Sequence, residues 1–139
     1  MSMQILQPAG WPTPRGYVNG VAAVGKLVFV AGQIGWNARC EFESDDFVAQ
    51  VRQALQNVKA VLTEAGAMPE HITRMTWYVT DKREYLTRGK ELGVVFRDVI
   101  GVYNAAMSAV QVSALMDDRA KVEIEVTAVV SDENPSMGS

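Results

Sequence analysis

A chain of 139 residues with 48% hydrophobic and 21% charged side chains has the size and make-up of one globular domain, which excludes disordered and fibrous classes. Its net charge of −3, without any long basic run, argues against nucleic acid as a partner, because that affinity comes mainly from Lys and Arg neutralising phosphates. The longest apolar run, Leu27 to Ala31, is too short to span a bilayer and the N-terminus lacks a signal-peptide layout, so no membrane partner and a cytoplasmic address are expected.

In chain order, Met1 to Gly10 and Ser131 to Ser139 read as loosely held tails around one ordered domain, residues 11–130. Val18–Val24 and Leu27–Ile34 are rich in Val, Ala and Phe and flank Gly25-Lys26, the pattern of a tight β-hairpin. From Asp45 to Ala65 the residues Phe47, Val51, Leu55, Val58, Leu62 and Ala65 form one apolar stripe of a long helix. Ser44 or Asp45 is its expected cap, and Gly66 its left-handed stop. Ile72–Thr80 has the β-branched and aromatic content of a strand, preceded by His71. A second helix is read through Tyr85, Leu92, Val95, Phe96 and Val99; close packing is expected at Gly89 and Gly93, since each weakens a helix by up to about 1 kcal/mol against Ala. Two last strands follow, Ala106–Val112 and Lys121–Val130.

In the final strand Val122, Ile124, Val126 and Ala128 alternate with Glu123, Glu125, Thr127 and Val129, which puts a wholly apolar row on one face. The order ββαβαββ implies an α+β fold with a mostly antiparallel sheet and two helices on one face. Met107, Ala109, Gln111, Glu123 and Glu125 are assigned to the other face, a mixture that suggests an oligomer interface with a cleft.

Few groups suit chemistry. Cys40 is the only cysteine and His71 the only histidine, which removes internal disulfides and multi-histidine metal sites and weakens any nucleophile–histidine scheme. Glu123 and Glu125, two apart on a strand, point the same way. They are either general-base candidates or simply solvated carboxylates. Arg15-Gly16-Tyr17 offers an aromatic wall with a hydroxyl, or an ordinary loop aromatic over the core. Ala31-Gly32-Gln33-Ile34-Gly35-Trp36 either exposes backbone N–H groups beneath a closing Trp36 or is a bulge and turn.

These segments fall into one pattern. Gly25-Lys26-Leu27-Val28-Phe29-Val30-Ala31-Gly32-Gln33-Ile34, the helical Gln53-Ala54-Leu55-Gln56-Asn57-Val58, Tyr78-Val79-Thr80-Asp81, Val110-Gln111-Val112 and Val122-Glu123-Ile124-Glu125 closely resemble the RidA/YjgF family over nearly the whole ordered body. The resemblance implies a chorismate-mutase-like α+β fold, a homotrimer with the sheets packed into a central barrel, three intersubunit clefts for a small-molecule ligand, and no metal or organic cofactor. It implies hydrolysis of reactive enamines and imines to 2-keto acids and ammonia. Carried over residue by residue, the catalytic positions are Glu123, which assists water, and Tyr17, part of the wall. The substrate-binding positions are Gly32 and Met107, with Ala31, Gln33, Trp36 and Arg15 beside them. Ala31 replaces the serine of the family's Ser-Gly-Gln motif.

One departure is larger. Ala105-Ala106-Met107-Ser108 stands where the family has Pro-Ala-Arg-Ser, and a thioether cannot grip a carboxylate as a guanidinium does. That grip is worth about 1.5–3 kcal/mol, so an altered substrate is expected, with Arg15 or Arg39 the nearest replacements. Two readings stay open, a cofactor-free imine or enamine hydrolase and a trimer that binds or senses a small molecule without turnover. Ribonuclease activity, sometimes attached to the family, is poorly matched by the acidic charge balance.

Overall fold

The computed structural model describes residues 3–131. The core elements come first. β3 (Lys26–Ile34), β4 (Ile72–Val79), β5 (Ala106–Gln111) and β6 (Val122–Val130) form a four-stranded sheet in the order β3-β6-β4-β5. β6 runs antiparallel to both β3 and β4, while β4 and β5 are parallel. A parallel pair needs a crossover, which here carries the helices α2 (Lys82–Thr87) and α3 (Gly89–Val99).

The helix α1 (Phe47–Glu64) forms where the apolar stripe requires it: Phe47, Val51, Leu55, Val58 and Leu62 are all buried. They pack on Val122, Ile124, Val126 and Ala128, the apolar row of β6. The cap sits one residue later than expected: Asp46, rather than Ser44 or Asp45, accepts from the Ala49 N–H at 3.0 Å, while the Ser44 hydroxyl accepts from the Asp46 N–H. Gly66 follows the C-cap Ala65 in the left-handed region at φ 69°. The second helical segment is two helices that meet at Arg88. Asp81 caps α2 through its carboxylate.

Two expectations at the N-terminus are corrected. Met3–Leu6, read as part of a tail, is the strand β1, which pairs antiparallel with β2 (Gly20–Ala23) in a separate two-stranded sheet. β2 and β3 therefore do not form a hairpin. The chain only bends at Gly25, where a Cβ would lie 2.7 Å from the Val130 carbonyl carbon, and β3 takes β6 as its partner. The glycine marks the bend; the partner of β3 is set by the buried row of β6. Most of the C-terminal tail, residues 132–139, lies outside the described residues.

Candidate functional site

Register decides which side chains can meet, because residues paired across a ladder share a face. Met75, fully buried beneath the helices, is opposite Val126 on one side and Met107 on the other; Trp77 is opposite Ile124 and Ala109. Met107 and Ala109 thus belong to the helix side, as does Gln111, opposite Val79. Glu123 is opposite Tyr78, and Glu125 opposite Thr76, on the outer side. The single mixed face expected from the sequence is divided between the two faces of the sheet, and Glu123 does not meet Tyr17 within one chain. The six residues of β5 are mostly small and weakly alternating, so nothing in that strand alone reveals its orientation.

On the helix side, a cavity of about 680 Å³ opens between β4, β5, the two crossover helices and the loop before Val18. Arg15, Gly16 and Tyr17 form one wall of it, held in place by the Val18 N–H, which donates to the Ala105 carbonyl at 3.0 Å, and by a parallel bridge from Val18 to Ala106. Half-buried Met107 lines it from β5. Arg15 therefore lines the same cavity as Met107; Arg39 does not, and lies exposed in the loop after β3, its N–H donating to Asn37 Oδ1.

The cavity's deeper residues carry no sign of a site in the sequence. Trp77 is 3% exposed and its indole N–H finds no acceptor among the described residues. The ring of Tyr85 meets it edge-on, with centroids 5.9 Å apart, and burial raises the Tyr85 pKa above its ordinary value. Leu92 and Phe96 of α3 supply apolar surface and Arg97 a further cation. Gly89 and Gly93 both line this cavity, and a Cβ at Gly89 would meet nothing within 4 Å, while one at Gly93 would meet only an Arg97 guanidinium nitrogen at 3.7 Å. These glycines leave space, in place of the close packing expected from their cost to a helix.

The outer side holds the carboxylates. Ala31 and Gly32 lie in a register shift between Val30 and Gln33 of β3 against β6, a bulge being one of the two alternatives for this segment. A Cβ at Gly32 would lie 2.7 Å from Cγ of Glu123, so glycine here admits the glutamate side chain against the backbone. Glu123 is partly buried and has no ion pair among the described residues. Glu125 is exposed and accepts from the Tyr78 hydroxyl at 2.6 Å, and this hydrogen bond raises the Tyr78 pKa. Ala31 lies near Glu125 in a second, smaller depression with Phe29 and Thr76. The Gln33 amide folds back on the Ala31 carbonyl at 3.0 Å.

Trp36 is brought to neither half. Its ring meets Phe42 at 6.0 Å between centroids, Arg119 covers the Phe42 ring at 5.2 Å, and Asn57 Nδ2 donates to the Trp36 carbonyl at 2.8 Å. Gly35 next to it packs on α1, where a Cβ would lie 2.7 Å from Cα of Gln50. Cys40 is exposed at the tip of this loop with φ 60°. His71 ends a 3₁₀ turn before β4, its Nδ1 accepting from the Met68 N–H. No group of three or more His, Cys, Asp or Glu side chains suited to a metal occurs among the described residues.

Comparison with known proteins places this geometry. The family described as endoribonuclease L-PSP matches residues 11–130. The chain belongs to the RidA/YjgF family. A 2-iminobutanoate/2-iminopropanoate deaminase of Salmonella typhimurium is 34% identical over 113 residues, covering 81% of this chain and 86% of that one. A RutC family protein of Aquifex aeolicus is 34% identical over 119 residues, 85% and 92% of the two chains. Among solved structures, the Rid family protein YyfB of Yersinia pestis, of unknown function, superposes with a TM-score of 0.82 at 30% identity, covering 94% of this chain and all of that one. TdcF of Escherichia coli, solved with bound serine, gives 0.67 at 34% identity over 92% and 99%. The fold is the α+β fold of these relatives, and no helix among the described residues is long and apolar enough to cross a membrane.

Proposed function

We propose that this RidA-family chain is a cofactor-free imine or enamine hydrolase that works as a homotrimer in the cytoplasm, its cleft completed between copies. The observation that carries this reading is the division of the candidate residues. Tyr17, Arg15 and Met107 line a cavity on one side of the sheet, while Glu123 stands on the other, partly buried and without a cationic partner. The outer side also exposes Phe29 at 71% and Leu27 at 58%, apolar surface that favours burial against another copy. Packing that face beside a neighbour's cavity would bring one copy's Glu123 to the other's Tyr17.

In such a cleft the reaction needs only a base and an orienting donor. Glu123 takes a proton from water as its oxygen bonds to the imine carbon. Nitrogen receives that proton to give a carbinolamine; the carbinol O–H proton then passes through Glu123 to the same nitrogen, which leaves as ammonia as the C–N bond breaks and the carbonyl forms. Tyr17 donates to the substrate, and Gly32 keeps room for the carboxylate.

The relatives' named substrates, 2-iminobutanoate and 2-iminopropanoate, are small anions. With Met107 in place of the guanidinium, this chain is assigned a different imine. A second reading, a trimer that binds or senses a small molecule without turnover, is favoured by the same Met107. The deciding experiment follows ammonia release across a panel of imines made in situ. Turnover that falls at least a hundredfold in Glu123→Gln supports the hydrolase; saturable binding with no turnover supports the sensor.

A further inference from the structure

The helix-side cavity is built for more than a three- or four-carbon acid. Its volume of about 680 Å³ is in the range of sites that enclose drug-sized ligands, about 300–1,000 Å³. Its depth is aromatic and aliphatic, with Trp77, Tyr85, Leu92 and Phe96, and the space is kept open where Gly89 and Gly93 give α3 no side chains. Trp77 adds a chemical requirement: its indole N–H is buried with no acceptor among the described residues, and a buried donor left unpaired is costly. Exposed Arg15 and Arg97 line the same cavity from the loop and from α3. Neither has a carboxylate partner among the described residues.

We infer that the cavity takes an amphipathic anion: an aromatic or comparably bulky apolar body against Trp77, Tyr85 and Phe96, a hydrogen-bond acceptor for the Trp77 N–H, and a carboxylate held by Arg15 and Arg97. The inference rests on the reading of this cavity as the ligand site and names the class of molecule. The carboxylate is thereby moved from β5, where Met107 cannot hold it, to cations at the rim. Met107 itself becomes part of the apolar wall, where a flexible thioether packs well against rings.

The test is calorimetric titration of the whole protein with four probes: phenylpyruvate, 3-phenylpropanoate, 3-phenylpropanol and butanoate. Phenylpyruvate should bind most tightly. Loss of the ring in butanoate and loss of charge in 3-phenylpropanol should each weaken binding at least tenfold relative to 3-phenylpropanoate. Arg15→Gln with Arg97→Gln should erase the preference for 3-phenylpropanoate over the alcohol and leave the alcohol unchanged. Gly93→Phe, placed where the helix faces open space, should abolish binding of all three ring-bearing probes. Trp77→Phe should remove the advantage of phenylpyruvate over 3-phenylpropanoate. Equal binding of butanoate and 3-phenylpropanoate, or a double arginine variant that keeps the charge preference, would overturn the assignment. Probe binding as expected in a protein that releases no ammonia from any imine would instead leave the assignment standing and defeat the hydrolase reading.

Discussion

Replacing Met107 by arginine should create or raise hydrolysis of small 2-imino acids. Met107 is partly buried and lines the cavity beside Tyr17, so a side chain of similar length can place its guanidinium in the cleft without opening the core. Hydrogen bonds from a guanidinium to a carboxylate contribute about 1.5–3 kcal/mol, roughly tenfold to 150-fold in kcat/KM if realised in the transition state. Arg15 and Arg97 line the same cavity and their like charge opposes a third cation, so the lower end, about tenfold, is expected. The gain should be confined to substrates that carry a carboxylate next to the imine carbon. The assay is ammonia or keto-acid production from 2-iminobutanoate made in situ, comparing natural protein, variant and buffer. Rapid turnover by the natural protein would refute the reasoning, because Arg15 and Arg97 at the rim would then already place a small carboxylate correctly without a cation on β5. A folded variant with no gain would show that the β5 position does not face the reacting carboxylate.

Further outcomes follow from individual contacts. Light scattering should give three times the chain mass of 15.2 kDa, and Phe29→Glu, which puts charge on the exposed outer face, should give a folded monomer; an unchanged assembly would remove that face from the interface. Gln50 is 1% exposed, its amide donates to the Ser44 and Arg119 carbonyls, and its oxygen accepts from the Lys121 N–H. Gln50→Leu leaves those groups unpaired and should cost about 2–4 kcal/mol in denaturant unfolding. The Arg88 hydrogen bond, followed by that of the Ala49 N–H, holds the Asp46 pKa below the usual 3.8. Its folded value is the depressed one, so its contribution is complete above about pH 4 and fades as the pH falls through that lower value. The stability gap between natural protein and Asp46→Asn should therefore close on acidification, and a gap constant from pH 6 to 2 would contradict the assignment.

Much of the fold was legible because burial imposes a period. The β6 alternation and the α1 stripe each have one solution, and their residues form the core. The family was legible for the same reason, through segments that fix the strand ends and the bulge at Gly32. Pairing was not. Gly25-Lys26 has the pattern of a hairpin turn, yet the chain only bends there, β2 pairs with β1, and β3 joins a strand roughly a hundred residues further along the chain. The face of Met107 was lost because β5 takes its register from β4, and small residues such as Ala106, Ser108 and Ala109 carry little alternation of their own. Gly89 and Gly93 were noticed for the right reason, their cost to a helix, but a sequence does not distinguish a glycine that admits a neighbour from one that keeps a space.

The proposed cleft draws Tyr17 from one copy and Glu123 from another, and subunit mixing tests that directly. Tyr17→Phe and Glu123→Gln are each expected to be nearly inactive alone. Unfolded together in equal amounts and refolded, they should regain about a quarter of the natural rate, the fraction of clefts that draw an intact residue from each of two randomly assorted neighbours. A mixture no more active than its two parents would contradict the account, since it would place both residues in a site made by a single chain.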